Sequence, residues 1–327
     1  MLQCLKREPG FYRYLWGLTG PIALQNLITF TLGLMDTLMV SWLGNTQMAA
    51  VTTANVPVFL LISIVFGVQS GLSILVSQYW GKRDMEHISR AIGVAAMLGT
   101  GLTVVLAAVL YLWPVEIMDL LSNNHELSVL GAPYLKLIGI SYVFNMLSSL
   151  YVSARRSAED AGFGMKLFAM STVLNTGLNY LLIFGHGGLP ALGVQGAAVA
   201  SVAAQVVSCL LVYLFLAVRL RQKQWRLRFT LGFTRPELLT YAKILLPLLA
   251  SEFLWSLGEN VYSAIYGNIG TQACAAMTMT TPIQCLMVGA LSGLSKAAAI
   301  LIGKSLGTQE YDRAYRDAQR LMRCGLA

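Results

Sequence analysis

The sequence predicts an all-α integral membrane fold, a bundle of many bilayer-spanning helices, and three observations predict it. Apolar residues make up 56% of the 327-residue chain and charged residues only 12%, where soluble domains run near ~45–50% and ~25%. The mean hydropathy is +0.63. The charges sit in short breaks: no Asp, Glu, Lys or Arg falls between Ala49 and Trp80, or between Leu167 and Val218. Such a chain cannot cover its surface with groups that water tolerates. A soluble enzyme, a disordered tail and a disulfide scaffold are excluded.

A bilayer core takes about 20 apolar residues as helix. The chain then divides into eight spans, at about 15–43, 49–80, 91–113, 129–152, 165–185, 193–218, 238–269 and 275–305, with a ninth beginning near 314. Turn residues mark the breaks: Gly44-Asn45, Pro114, Gly162, Gly185 to Pro190, and Gly270. The first span is too long for a signal peptide, and no small-residue cleavage site follows it.

The net charge of +8 is a topology signal, because Lys and Arg fill alternate breaks. Lys6, Arg7 and Arg13 precede the first span. Lys82, Arg83 and Arg90 follow the second, Arg155 and Arg156 the fourth, and a basic run within 219–235 the sixth. The breaks after spans one, three, five and seven hold none. A multi-pass protein of the plasma membrane with a cytoplasmic N-terminus is expected, surrounded by the lipid bilayer, monomeric, and with no nucleic-acid partner. The run 219–235 reads as a topology anchor, with lipid headgroup contact as the lesser alternative. Cys4, Cys209, Cys274, Cys285 and Cys324 are scattered without CxxC spacing, which fits apolar filling of helix surfaces.

Sliding the sequence by 226 residues lines it up with itself without a gap. Pro21 falls on Pro247, Gly44 on Gly270, Ala49-Ala50 on Ala275-Ala276, Gly67 on Gly293, Gly81 on Gly307 and Arg90 on Arg316. Six spans, an even number, separate the copies, so the repeats are parallel and related by an axis along the membrane normal. Residues 1–235 form a six-helix lobe with its basic cytoplasmic linker; 236–327 begin a second lobe with two spans and the start of a third. A complete second copy would bring the chain to roughly 450 residues, so the sequence reads as a fragment of a two-lobe protein. Pro21 and Pro247 are expected near the cytoplasmic ends of their helices.

An ionisable group inside a span costs at least ~2.5–3.5 kcal/mol, so each is a functional candidate. Asp36 is the only charge in span one and shares a helix face with Gln25, Thr29 and Leu32. Span five carries Thr172, Asn175 and Asn179; span six carries Ser201, Gln205 and Ser208. Counted from the outer ends, Asp36, Asn175, Asn179 and Ser201 all lie about 9–15 Å deep. A carboxylate, two amide oxygens and a hydroxyl at one level suit a small hard cation, or a proton on Asp36; interhelical hydrogen bonding is the plainer alternative. Asp36, Asn175 and Asn179 are the Na⁺ candidates.

Span seven places Glu252, Trp255, Ser256, Glu259, Tyr262 and Ser263 at i, i+3, i+4, i+7 spacing. Carboxylates among aromatics suit a cavity for large apolar cations, and Gln25, Thr29, Glu252, Trp255, Glu259 and Tyr262 are assigned to it. Lys296 aligns with Ser70 of the first copy and either pairs with a span-seven glutamate or reaches for the interface. No enzyme is indicated. The histidines His87, His125 and His186 lie in breaks, no hydrolase or P-loop motif occurs, and Ser292 with Lys296 has no third member.

These residues resemble the multidrug and toxic compound extrusion (MATE) family. The resemblance runs from about Tyr14 to Arg316. It rests on Pro21, on Met35 to Val40 (Met-Asp-Thr-Leu-Met-Val), on Leu43-Gly44 and Ala49-Ala50, on Leu174-Asn175 and Leu178-Asn179-Tyr180, and on Gly193 to Ala198. It implies twelve helices in two six-helix lobes and export of organic cations and other toxic compounds, such as drugs, driven by uptake of Na⁺ or H⁺. It implies coupling at Asp36, with Asn175, Asn179 and Ser201 beside it, and a seventh-span acid at Glu252 or Glu259. Some sodium-using members carry aspartate at the position of Asn179, which leaves both coupling ions open. A lipid-linked precursor flippase of the same superfamily and a non-transporting fragment are the competing readings.

Overall fold

The computed structural model describes residues 9–122, 124–188, 190–221, 232, 234–269 and 271–325. Among these the chain folds into ten α-helices and a 3₁₀ turn, His186–Gly188, with no strand. The helices are α1 (Pro9–Ser41), α2 (Asn45–Gly81), α3 (Met85–Leu112), α4 (Pro114–Leu121), α5 (His125–Ser157), α6 (Ala161–Phe184), α7 (Val194–Arg221), α8 (Arg235–Ile269), α9 (Thr271–Gly307) and α10 (Tyr311–Gly325). Eight of them, all but α4 and α10, are long and apolar enough to cross a membrane. The fold is an all-α, multi-span membrane bundle.

The spans read from the sequence each fall on one of these eight, overrunning a helix end by one or two residues at 43, 113, 185 and 193, and seven of the eight helices start earlier. α1 begins at Pro9 rather than near 15, and α5 at His125 rather than near 129. Hydropathy marks the part of a helix that meets lipid, whereas backbone hydrogen bonds carry the helix on through polar turns. Caps rather than hydropathy set the ends. Asp84 accepts from the His87 amide at 3.1 Å at the start of α3, Asn124 accepts from the amides of Glu126 and Leu127 before α5, and Gly185 ends α6 with φ of 73°. Pro114, read from the sequence as a break, opens α4 at its first turn, where a missing N–H costs nothing. Pro21 and Pro247 do not lie at helix ends as expected. Each sits twelve residues in from the start of its helix, because α1 and α8 extend beyond their apolar stretches.

α2 and α5 form the middle of the bundle. α2 packs against α3, α5, α8 and α9, and α5 against α2, α3 and α7. One core cluster joins Val68, Leu72, Ile92, Met146 and Leu150 to Tyr241 and Leu245 of α8. A second joins Met39, Val58, Leu61, Leu135, Ile183 and Ala198, and a third joins Leu15, Leu18 and Ile22 to Ala297, Ile300 and Leu301. Val105, Val173 and Leu214 stand exposed, as a surface solvated by lipid allows.

The repeat is visible in the helix ends. α2 runs from 45 to 81 and α9 from 271 to 307, both ends displaced by 226 residues; α3 begins at 85 and α10 at 311. α10 is therefore the counterpart of the charged first turns of α3. The contacts repeat as well. A Cβ on Gly81 would strike the carbonyl of Lys304, and one on Gly307 would strike the carbonyl of Gln78; 78 and 304 are themselves a repeat pair. Likewise Gly67 lies against Leu249, and Gly293 against Ala23. Reciprocal contacts of this kind are what a two-fold axis produces. α2 and α9 cross on glycine, backbone against backbone, at the ends that carry Lys82, Arg83 and Lys304. The basic run 219–235 lies mostly outside the described residues; Arg235 opens α8.

Candidate functional site

Asp36 lies on the last third of α1, half-buried, where α1 packs on α6. Asn175 and Asn179 stand one helical turn apart on α6 and so share its face. They are 3% and 0% exposed. Asn179 Nδ2 donates to Asp36 Oδ1 at 2.5 Å and to Asn175 Oδ1 at 3.0 Å. Asn175 Nδ2 in turn donates to Ser201 Oγ of α7 at 3.3 Å. These four residues, polar groups that the sequence puts at one depth, thus form one continuous hydrogen-bonded chain across three helices.

One atom in this chain is unsatisfied. Asn179 Oδ1 is buried and has no hydrogen-bond partner among the described residues. An orphaned buried carbonyl costs about 1–3 kcal/mol, and a cation beside it, or a proton on the neighbouring carboxyl, would remove that cost. Carboxylate, amide and hydroxyl oxygens are the donors that hard cations take. Among the described residues no group of three His, Cys, Asp or Glu could hold a metal ion, so any cation site here rests on one acid and neutral oxygens.

The polar track continues along α7 away from Asp36. Gln205 accepts from Asn145 Nδ2 of α5 at 3.2 Å, and a cavity of about 10 Å³ lies beside them, lined by Asn145, Ser148, Ser171, Gln205 and Ser208. That is about the space of one water. Ser208 itself only bonds back to its own helix, at the Ala204 carbonyl. Asn145 was not singled out in the sequence, where a lone amide on span four gives no stripe.

The residues assigned to a substrate cavity do not come together as one. Gln25 is buried, lodged against Gly164 of α6, with Oε1 unpartnered. Thr29 is exposed and bonds to the Gln25 carbonyl of its own helix. On α8, Trp255 and Tyr262 are 60% and 59% exposed, Glu259 is exposed, and Glu252 is half-buried. α8 buries Tyr241, Leu245 and Ser256 against its neighbours instead. Periodicity establishes that a stripe shares one face, but not that a partner helix covers it.

Between α1 and α9 lies a contact that the sequence reading did not single out. Asn26 Nδ2 donates to Ser292 Oγ at 2.7 Å and to the Gly289 carbonyl at 3.1 Å. Its Oδ1 accepts from Lys296 Nζ at 3.4 Å. Lys296 Nζ lies 5.7 Å above the Phe66 ring.

A model of the MatE family matches residues 21–181 and 247–327; the two matches begin at Pro21 and Pro247, one repeat apart. The chain is 27% identical over 315 residues to the probable multidrug resistance protein YoeA of Bacillus subtilis, covering 94% of this chain and 67% of that one. A MOP superfamily transporter from Pyrococcus furiosus superposes with a TM-score of 0.85 at 20% identity, over 95% of this chain and 68% of the other. A mutant form of the Vibrio cholerae MATE transporter VcmN does so with 0.85 at 22%, over 96% and 70%. The chain spans about two thirds of the length of these relatives.

Proposed function

We propose that this chain, which belongs to the MatE family, is a secondary active exporter of small organic compounds, drugs and organic cations among them, driven by Na⁺ or H⁺ taken up at Asp36. The observation that carries the proposal is the chain Asp36–Asn179–Asn175–Ser201 with an orphaned carbonyl at its centre. A carboxylate in a span is expensive, and packing alone does not need one. Neutralising it with a proton or a Na⁺ ion removes that cost and gives the Asn179 carbonyl a partner.

Coupling follows if occupancy changes how α1 sits on α6. Asp36 is the α1 end of the hydrogen-bonded chain, so filling the site favours one packing of these helices and emptying it favours another. An ion that binds one packing better shifts the balance toward it, and substrate affinity on the outer side falls with the shift. Under the positive-inside rule, the ends carrying Lys82, Arg83 and Lys304 face the cytoplasm, with the N-terminus.

The test is efflux of a cationic dye such as ethidium from cells expressing the protein. The wild type lowers dye retention, and Asp36→Asn, present in the membrane at equal level, retains as much dye as cells lacking the protein. Efflux by Asp36→Asn at the wild-type rate would overturn the reading.

A further inference from the structure

Resting on the export reading above, we propose that Lys296 and Arg156 form an anion-recognising layer between the repeats, which takes the carboxylate, sulfonate or phosphate of an amphipathic organic compound whose apolar ring lies on Phe66. Arg155 and Arg156 are neighbours on α5 and both are buried, 4% and 5% exposed. Arg155 pairs with Asp160 and lies 5.1 and 4.9 Å from the rings of Phe163 and Phe215. Arg156 has nothing comparable. Its Nη2 donates to Ser153 Oγ at 3.3 Å, its Nε is unpartnered, and no carboxylate among the described residues lies within ion-pair distance. A buried guanidinium without a counter-charge is costly to keep.

Lys296 occupies the same layer. Ser153 and Ser157, which bracket Arg156 on α5, bond to the Gln69 carbonyl and to Ser73 of α2. Lys296 is the repeat counterpart of Ser70, between those two positions. The charges of Arg156 and of Glu252 both act on Lys296, so the layer holds two cations against one carboxylate. Asn26, clamped by Ser292 and Gly289, holds the ammonium over the face of Phe66, which is 44% exposed.

The repeat shows that packing does not require these charges. Across the pseudo-two-fold axis, Lys296 becomes Ser70 and Glu252 becomes Asn26. α2 packs on α8 much as α9 packs on α1, yet with those positions exchanged. A charge present on only one side of a symmetric contact serves something other than the contact. A ring with an acidic group meets an ammonium, a guanidinium and an aromatic face there, while a plain cation meets net repulsion.

The test uses purified protein in phosphatidylcholine nanodiscs and two dyes that share a xanthene ring, anionic fluorescein and cationic rhodamine 6G, followed by fluorescence anisotropy. Fluorescein should bind the wild type. Lys296→Gln should weaken it at least tenfold and leave rhodamine 6G no weaker, while Lys296→Arg, which keeps the charge, should hold fluorescein within threefold. Absence of fluorescein binding, equal binding by Lys296→Gln, or equal losses in both variants would overturn the proposal. Displacement of fluorescein by phosphatidylglycerol added to the discs would make the occupant a lipid headgroup and overturn it too. Lys296-dependent binding of fluorescein by a wild type that lowers dye retention in no efflux assay would fall on the export reading alone.

Discussion

A carboxylate costs about 2.5–3.5 kcal/mol to hold mid-span, and at Asp36 one amide nitrogen at 2.5 Å offsets part of that cost. Asn179 is the hinge of the arrangement, because its single amide nitrogen serves both Asp36 and Asn175. Asn179→Ala removes both bonds, taking a donor from the half-buried Asp36 carboxylate and leaving the buried Asn175 carbonyl unpaired, the latter worth about 1–3 kcal/mol. The expected outcome is a lower midpoint of thermal unfolding in detergent and loss of any stabilisation by Na⁺ or by acid. Ser208→Ala should change neither, since its hydroxyl only serves its own helix. The cluster was legible in the sequence because helical rise converts residue count to depth, and polar groups at one depth tend to meet. Asn26 and Asn145 were not legible, since each depends on which helix lies opposite, and a single sequence does not carry that.

The eight membrane-crossing helices were legible as apolar runs, and their ends were not, because caps and polar turns extend a helix without changing its hydropathy. The 226-residue offset was legible to the residue and returns in the helix boundaries. Its physical content became visible only in the contacts, where Gly81 and Gly307 each meet the backbone of the other's helix. A methyl at either glycine must push backbone rather than a side-chain tip. Gly81→Ala and Gly307→Ala are each expected to cost about 1–3 kcal/mol by overpacking. The double variant should cost less than the sum of the two, because both open the same crossing. Gly17→Ala, where nothing lies within 4 Å, should leave the unfolding midpoint unchanged or raise it slightly. An equal loss at all three positions would mean that the crossing carries no special weight.

At the scale of the molecule, two repeats meet along α2 and α9 at the basic ends of the bundle, while Trp255, Glu259 and Tyr262 of α8 stay uncovered. Among the described residues no second surface closes over that stripe, and a stripe on one helix becomes a cavity only when one does. The hydrogen-bonded chain at Asp36 does not depend on that closure, since α1, α6 and α7 belong to a single repeat. Occupancy of Asp36 can therefore be observed on the protein directly, without a transport assay. Infrared difference spectra of the purified protein, recorded across a Na⁺ step and across a pH step, isolate changes at carboxyl groups. The wild type should show a carboxylate signal on at least one of the two steps, and Asp36→Asn should lack it. A difference spectrum from Asp36→Asn that still carries the same carboxylate signal would place the ion elsewhere and contradict coupling at Asp36.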